Sequence, residues 1–533
     1  MANIRARCDS RLEGAVAAPH ADATLAGAQA YSRGGNAIDA ALAAAAMLTV
    51  VYPHQCSIGG DLFAVVDTGG GEIWSVNGSG AVASAIDVTD FRRRYREIPE
   101  SGPDSLTVPG VVAGWQTIHQ LGARLPWACV LDSAIAAASS GCTISRSLAR
   151  GIRFRLPEIV RDPGMRALFL HGDLPLELGA PLHQPALAAT LRRLSREGPR
   201  DFYTGGIAAD LARGLERLGS SITAEDLAAH QSELAPALRL DHGDARLHTS
   251  PPNSPGFVLL ETVAALDALG LPIDPLGPAA RPLLHAILMA GADRDRHLGD
   301  PHRTHPPWTE LLGRDALGKR LRAHNGATAP VVAISSAPAH GDTVAICALD
   351  SEGTAVSLIQ SVFQTLGSGL LEPRTGIILH NRARGFSLAP GAPNELFPRA
   401  RPAHTLTPLL IGRGSGTVAA VGCMGGRAQP QILAGLLPAV INSGVPLDRA
   451  LAAPRWVVGA RDMGFERPTV AIEADAPREL DSILDIPTLG QARIPQGDER
   501  VGHAQAVRRM DTGRLEAAAD PRSDGAADVC SIP

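Results

Sequence analysis

The sequence predicts an α+β fold, with layers of helix outside layers of sheet. Two observations predict it. The first is a hairpin in mid-chain. Val344–Leu349 is an apolar run of strand length, Asp350-Ser351-Glu352-Gly353 is a polar turn, and Thr354–Ile359 returns as a β-branched, apolar strand. The second is helical periodicity on both sides of that hairpin, ahead of it in Ala21–Val51 and Trp127–Ser140 and behind it in Gln431–Asn442.

The elements follow in order. Ala21–Val51 reads as two helices broken by Gly34-Gly35, the second capped by Asn36 with Asp39 three residues on. Leu62–Asp67 and Glu72–Val76 form a hairpin around Thr68-Gly69-Gly70-Gly71, and Asn77-Gly78-Ser79-Gly80 ends its second strand. Val111–Leu121, Trp127–Ser140, Gln184–Leu194 and Ile207–Leu218 read as helices, and Thr223 with Asp226 makes a capping box for a short one. Leu238–Leu247 is strand-like. Pro251–Gly256 is a rigid turn before the helix Phe257–Leu269, and Leu283–Leu298 is helical with ion pairs among Asp293, Arg294, Asp295 and Arg296. Ala327–Gly341, with Pro330, Ser335, Ser336 and Pro338, reads as a linker running into the central hairpin. Strands follow at Gly376–Leu379, Thr405–Ile411 and Thr417–Val421, then the helix Gln431–Asn442 and a strand-rich tail over Thr469–Ala519. There is no internal repeat.

Composition bounds the function. The 533 residues carry 45% hydrophobic residues and a formal net charge of −5 with both signs interspersed, which gives no reason to expect nucleic acid as a partner. Arg92-Arg93-Arg94 reads as a solvated helix face. Met1–Pro19 has scattered charges and no apolar h-region, so no secretory signal is expected. The apolar run Ala40–Tyr52 is too short to span a bilayer, so no membrane partner is expected either. The seven cysteines lack metal-type spacing and read as reduced thiols of a cytoplasmic protein. His302 and His305 lie in a Pro-bounded loop, no metal site is expected there, and no cofactor motif occurs.

Thr343 stands where the linker meets the hairpin. If the Asp342–Thr343 bond breaks, Thr343 becomes an N-terminus. Its hydroxyl is then a nucleophile, and its α-amino group, with a pKa of roughly 7.7–8, a base. An ordinary Thr opening a strand is the plainer reading of those residues alone.

The surroundings add a resemblance. The hairpin with its Asp-x-x-Gly turn, Phe363–Gly369, Gly376–Leu379 with Asn381, Arg401-Pro402, Thr407-Pro408, Gly425-Gly426, Ala453-Pro454-Arg455 and Asp520–Ser523 resemble the γ-glutamyltranspeptidase family of N-terminal-nucleophile hydrolases. In the first half the resemblance covers Gly34–Ala40, Ile58-Gly59-Gly60, Val108-Pro109-Gly110, Glu225-Asp226-Leu227, Asp293-Arg294 and Gly299-Asp300-Pro301. It implies an αββα four-layer sandwich formed as one structural domain by two products of self-cleavage. These would be a large subunit 1–342, ending in a linker at about 325–342, and a small subunit 343–533. It also allows for a dimer of such heterodimers. Catalytic roles fall on Thr343 and on Ser361, where the family places a second hydroxyl, and the oxyanion hole on Gly425 and Gly426.

The departures point to the substrate. The family's Arg for the α-carboxylate of a γ-glutamyl group has no counterpart in Asn77–Ala81, and its Asp for the α-amino group is absent near Gly385. The family's paired serines are replaced by His404-Thr405. Arg382, Arg384, His404 and Arg427 stand there instead, and Met424–Gln431 with Pro402–Leu406 looks like the members that include oxamate amidohydrolases. The expected substrate is thus a small amide bearing a carboxylate, of oxalyl type. His404, Thr405, Arg382 and Arg427 are the expected binding residues, His404 foremost. The alternatives are a γ-glutamyl hydrolase or transferase with substitute ligands, a relative that releases an oxalyl group from a C–C bond, and a scaffold that does not self-cleave.

Overall fold

Residues 12–326, 343–414, 416–442, 444–460 and 463–533 are described by a computed structural model. Two antiparallel sheets form their centre. The first has seven strands in the order Ala526–Ile532, Leu12–Ala18, Thr343–Asp350, Thr354–Ser361, Asp61–Thr68, Ile73–Gly78 and Glu233–Pro236. The second has six, in the order Leu515–Ala519, His503–Arg509, Gly416–Met424, Leu409–Arg413, Ala245–Thr249 and Leu238–His242.

Side-chain alternation explains the layers. Val344, Ile346, Ala348, Val356 and Leu358 face out, into a core with the helices Ala21–Ser32, Ala37–Val51, Val111–Gln120 and Trp127–Ser140. Cys347, Leu349, Ala355 and Val65 face in, against Leu410, Ala420 and Val507 of the second sheet. The outer face of that sheet packs Leu247, Ile411, Val421 and Ala506 on the helices Gly256–Asp267, Ala280–His297 and Gln429–Ile441. This is the four-layer αββα sandwich that the resemblance implied. Both strands of the central hairpin are buried along their whole length. They pair in the register Thr343↔Ser361 to Leu349↔Ala355, and Gly353 closes the turn at φ 103°, a conformation open to glycine.

The sheets are also tied by polar contacts. Ser357 Oγ donates to the Val421 carbonyl at 2.8 Å, and Thr417 Oγ1 to Asp67 Oδ2 at 2.7 Å. Asp350 joins the hairpin turn to the outer layer: its carboxylate accepts from Ala37 N and from Thr354 N, each at 3.0 Å. The capping boxes at Asn36/Asp39 and Thr223/Asp226 are both present. So are the Arg294–Asp295 and Arg296–Asp293 pairs.

Several expectations need correction. Leu238–Leu247 is two strands, Leu238–His242 and Ala245–Thr249, turning at Gly243 with φ 59°. The strand expected from Thr405 begins at Leu409. Pro408 has no N–H to give a ladder. The Thr407 N–H goes to Gln429 Oε1 at 2.9 Å, and the His404 N–H to the Asn253 carbonyl at 2.7 Å. The helices Arg146–Phe154, Leu156–Arg161 and Pro163–Phe169 were not expected, nor was Arg314–Gly326. The rest of the expected linker, through Asp342, lies outside the described residues. His302, considered for a metal, bonds Glu233 Oε1 at 2.9 Å through Nε2. Among the described residues no helix is long and apolar enough to cross a membrane.

Candidate active site

Thr343 opens the central strand, 2% exposed. It is two residues before Ala345, whose Cβ lies on the inner face against Gly422 of the second sheet, so Thr343 shares that face. Ser361 is its register partner, and Asp61 is the partner of Ser361 one strand further on. One row thus crosses three strands at one end of the sandwich, Thr343–Ser361–Asp61. Thr343 Oγ1 donates to Ser361 Oγ at 3.1 Å, and Ser361 Oγ also accepts the Phe363 N–H at 2.8 Å. Phe363 holds φ at 76°, strained for a non-glycine residue. Gly60 makes room for the row: a Cβ there would lie 2.4 Å from the Ser361 carbonyl oxygen.

Asp61 is fully buried and organises three basic groups. Its Oδ1 accepts the Gly80 N–H at 3.1 Å. Its Oδ2 meets His404 Nε2 at 3.0 Å, and Arg382 Nε and His380 Nδ1 each at 3.6 Å. Burial alone would push this carboxyl up, but His380, His404 and Arg382 together hold it below the usual carboxylate range. Burial, reinforced by the Arg382 charge, pushes His404 down to about 3 despite its bond to Asp61, so the ring is neutral. Burial lowers His380 as well. A neutral His404 next to a carboxylate carries its proton on Nε2, which leaves Nδ1 a lone pair. That ring packs on Phe63 with centroids 4.8 Å apart. The Arg382 guanidinium lies 3.9 Å from the Phe363 ring centroid, and the whole residue is buried.

Beside this cluster, Asn77, Ser79 and Asn253 form a neutral network. Asn77 Nδ2 donates to Asn253 Oδ1 at 2.9 Å, and Ser79 Oγ to Asn77 Oδ1 at 2.7 Å. Asn253 Nδ2 donates to the Pro402 carbonyl at 2.7 Å, which fixes the loop carrying His404. No cation occupies this segment.

Across the sandwich, the strand Gly416–Met424 ends in a turn before the helix Gln429–Ile441. Gly425 holds φ 154° and Gly426 φ 52°. A Cβ on Gly425 would meet Ile432 Cδ1 at 2.5 Å. Since Gly422 packs on Ala345, the turn that follows Met424 lies at the Thr343 end of the sheets. Successive N–H groups of such a strand–helix turn can stabilise an oxyanion.

The structure therefore gathers Thr343, Ser361, His404 and Arg382 at one end of the sandwich, with the Gly425-Gly426 turn at the same end. Arg427 turns elsewhere: half-exposed, its Nη1 lies 3.7 Å from Asp295 Oδ1. Arg384 bonds Glu97 at 2.7 Å. Thr405 is partly buried and its carbonyl accepts from Thr407. His404, expected to lead in anchoring a carboxylate, turns its Nε2 to Asp61 and is held neutral by burial, which leaves Arg382 as the buried cation of the cluster. Asp61 and His380 were missed. What the sequence offers for Asp61 is an acidic residue opening a strand directly after Gly59-Gly60, with nothing to mark its partners. Asp342, the other side of the expected cleavage site, lies outside the described residues.

Comparison with known proteins gives a consistent set of relatives. A family profile described as Gamma-glutamyltranspeptidase matches residues 23–530. The oxamate amidohydrolase proenzyme of Klebsiella pneumoniae subsp. pneumoniae is 35% identical over 527 residues, covering 96% of this chain and 98% of its own. The glutathione hydrolase-like YwrD proenzyme of Bacillus subtilis is 33% identical over 521 residues, covering 96% and 97%. Among solved structures, a cephalosporin acylase from Bacillus halodurans superposes with a TM-score of 0.87 at 27% identity, covering 97% of this chain and 96% of its own.

Proposed function

The chain belongs to the γ-glutamyltranspeptidase family and is an amidohydrolase-like enzyme of N-terminal-nucleophile fold, and from that premise we propose a self-cleaving threonine hydrolase of small, carboxylate-bearing amides of oxalyl type. Cleavage of the Asp342–Thr343 bond gives a large subunit 1–342 and a small subunit 343–533 that remain one domain. The freed α-amino group of Thr343 takes the proton of Oγ1, and Oγ1 attacks the amide carbon. The N–H groups at Gly425 and Gly426 stabilise the oxyanion. The C–N bond breaks and the leaving nitrogen takes the proton. Water then cleaves the acyl-enzyme ester, with the α-amino group again as base. Ser361 orients Oγ1, and Arg382 faces the substrate carboxylate.

The observation that carries the reading is the buried hydroxyl pair Thr343–Ser361 at 3.1 Å, in one row with Asp61, beside which Arg382 is buried. The relatives' names support the rest: oxamate for one, and proenzyme for both curated relatives. The six described cysteines are free thiols, which suits a reducing cytoplasm. The test is ammonia release from oxamate against hydrolysis of a γ-glutamyl anilide. The expected result is turnover of oxamate and little of the anilide. A kcat/KM of roughly 10⁴ M⁻¹s⁻¹ or more on the anilide would overturn the substrate assignment.

One observation favours a second reading. Asp61 and Arg382 place a carboxylate and a guanidinium 3.6 Å apart. Such a pair could take the ammonium and carboxylate of a γ-glutamyl group in place of the missing family ligands. The same assay separates the two.

A further inference from the structure

We infer that His503 holds and orients the water that hydrolyses the acyl-enzyme, an assignment that rests on the threonine mechanism proposed above. His503 opens the strand His503–Arg509 as the register partner of Met424, the residue before the Gly425-Gly426 turn. A Cβ on Gly425 would lie 3.9 Å from the Cα of Gly502, which precedes His503 and holds φ 71°. The face follows from the register. Gly422 turns toward Ala345 on the inner face, and its register partner is Gln505. His503, two residues from Gln505, shares that face. Ala420, on the far side of Gly422, packs with Cys347 and Leu349, so Thr343 and His503 lie at the same end. Cys347 Sγ donates to the Gln505 carbonyl at 3.2 Å, which sets the strand of His503 across from that of Thr343. The next strand of the second sheet, Gly416–Met424, meets Ser357 of the strand that ends at Ser361 through its Val421 carbonyl. His503 thus stands on the opposite side of Thr343 from Asp61, which lies beyond Ser361.

His503 is fully buried, and neither of its ring nitrogens has a hydrogen-bond partner among the described residues. The charged groups that act on the ring bond elsewhere: Arg455 and Arg522 meet Asp520 at 2.5 and 3.0 Å, and Asp524 accepts the Ser147 N–H at 2.9 Å. Burial keeps the ring neutral, so it presents one N–H donor and one lone pair. Gln505 Oε1, next along the same face, is a further acceptor without a partner among the described residues. Buried groups of this kind are satisfied by a small molecule that both donates and accepts, and water does both. The freed α-amino group of Thr343 lies at the same end and remains the base. One proton of the water goes to that amine, the other is held by the imidazole lone pair, and the oxygen is thereby turned to the acyl carbon. The C–O bond to the water oxygen forms, the ester bond to Oγ1 breaks, and the amine returns the proton to Oγ1.

The test separates loss of the ester from its formation. Wild type, His503→Leu and His503→Gln are purified as processed enzymes and given oxamate, with and without hydroxylamine, a stronger nucleophile than water that depends less on being held. His503→Leu should lower kcat by about tenfold or more, accumulate an acyl adduct on the small chain by intact mass, and regain turnover when hydroxylamine is added. His503→Gln, which keeps a donor and an acceptor, should stay within about threefold of wild type and carry no adduct. A structural role would move the melting temperature and leave the adduct and the hydroxylamine response unchanged, which overturns the inference. So does slower turnover of His503→Leu with no adduct, the mark of a ring that meets the leaving nitrogen. A shifted pH profile for adduct formation does the same, since the ring would then be the partner of the Thr343 amine itself. Should the variants fail to fold, a crystal structure of processed wild type decides. It is expected to place an ordered water within hydrogen-bond distance of a His503 ring nitrogen, and a ring with no water there overturns the inference. If the γ-glutamyl anilide and not oxamate is turned over, the same measurements are made with it, and the oxalyl reading alone falls. An uncleaved chain that hydrolyses either compound overturns the threonine mechanism, and this inference with it.

Discussion

At the scale of single residues, charge decides roles that sequence position left open. His404, Arg382 and Arg427 were all expected as candidates for an anion anchor, His404 foremost. Burial and partners separate them. His404 is neutral with its Nε2 turned to Asp61, and Arg427 leans on Asp295. Arg382 alone of the three is a fully buried cation beside the Thr343 row. Arg382→Gln should therefore lower kcat/KM on oxamate by about tenfold to a hundredfold, the scale of a lost charge-assisted hydrogen bond. Arg427→Ala should change it less than threefold. Steady-state kinetics of both variants, with the extent of self-cleavage checked on a gel, measure this, and the reverse order would move the anchor to the glycine turn. The buried histidines also set a pH dependence. His404 is pushed down to about 3, and His230 and His503 to about 4, all by burial first. The unfolded chain protonates each near 6.5, so between that value and the lowered one it binds more protons than the native state. Stability is complete above about pH 6.5 and falls as pH drops, by up to about 1.4 kcal/mol per unit for each such histidine. The melting temperature should decline steadily from pH 7 to pH 4.5, and a flat profile would contradict the neutral assignment. Thr343, Ser361, Gly425 and Gly426 were legible because spacing and resemblance mark them. Asp61 was not, because its partners come from residues 80, 380, 382 and 404, and only the fold brings them together.

At the scale of elements, local chemistry was legible where it is self-contained. The hairpin, its Gly353 turn, both capping boxes and the helix Trp127–Ser140 follow from turn residues and periodicity within the segment. The strands Leu12–Ala18 and Ala526–Ile532 were missed. They are made strands by pairing with each other and, for the first, with Thr343–Asp350, a contact distant in sequence. The loop Arg401–Pro408 was half-read as strand because its β-branched residues fit one, whereas its N–H groups serve Asn253 and Gln429. The approach of the Gly59-Gly60 loop to the central hairpin is the tightest constraint on the row. Gly60→Ala sets a Cβ 2.4 Å from the Ser361 carbonyl oxygen, so the hairpin end must shift. The variant should lose about 1–3 kcal/mol of stability and cleave itself more slowly than wild type. Chemical denaturation and a time course on denaturing gels test both, and unchanged values would show that the loop gives way without disturbing Ser361.

At the scale of the whole molecule, the two expected subunits are interleaved rather than adjacent. In the seven-stranded sheet, strands from before and after residue 343 alternate in blocks, with Leu12–Ala18 between Ala526–Ile532 and Thr343–Asp350. The second sheet joins Ala245–Thr249 to Leu409–Arg413. Fragments 1–342 and 343–533 should accordingly co-elute as one particle in native buffer and separate only in denaturant. Resolution of the two in native buffer would contradict the shared core. Self-cleavage at Thr343 is the claim on which the catalytic account stands, since only a free α-amino group makes that hydroxyl its own base. The most direct measurement is the mass and N-terminal residue of each chain in active, purified protein, beside Thr343→Ala. The account requires a small chain beginning at Thr343 in the active protein, and one intact, inactive chain in the variant. An uncleaved chain that hydrolyses amides, or a small chain starting at any other residue, would contradict it.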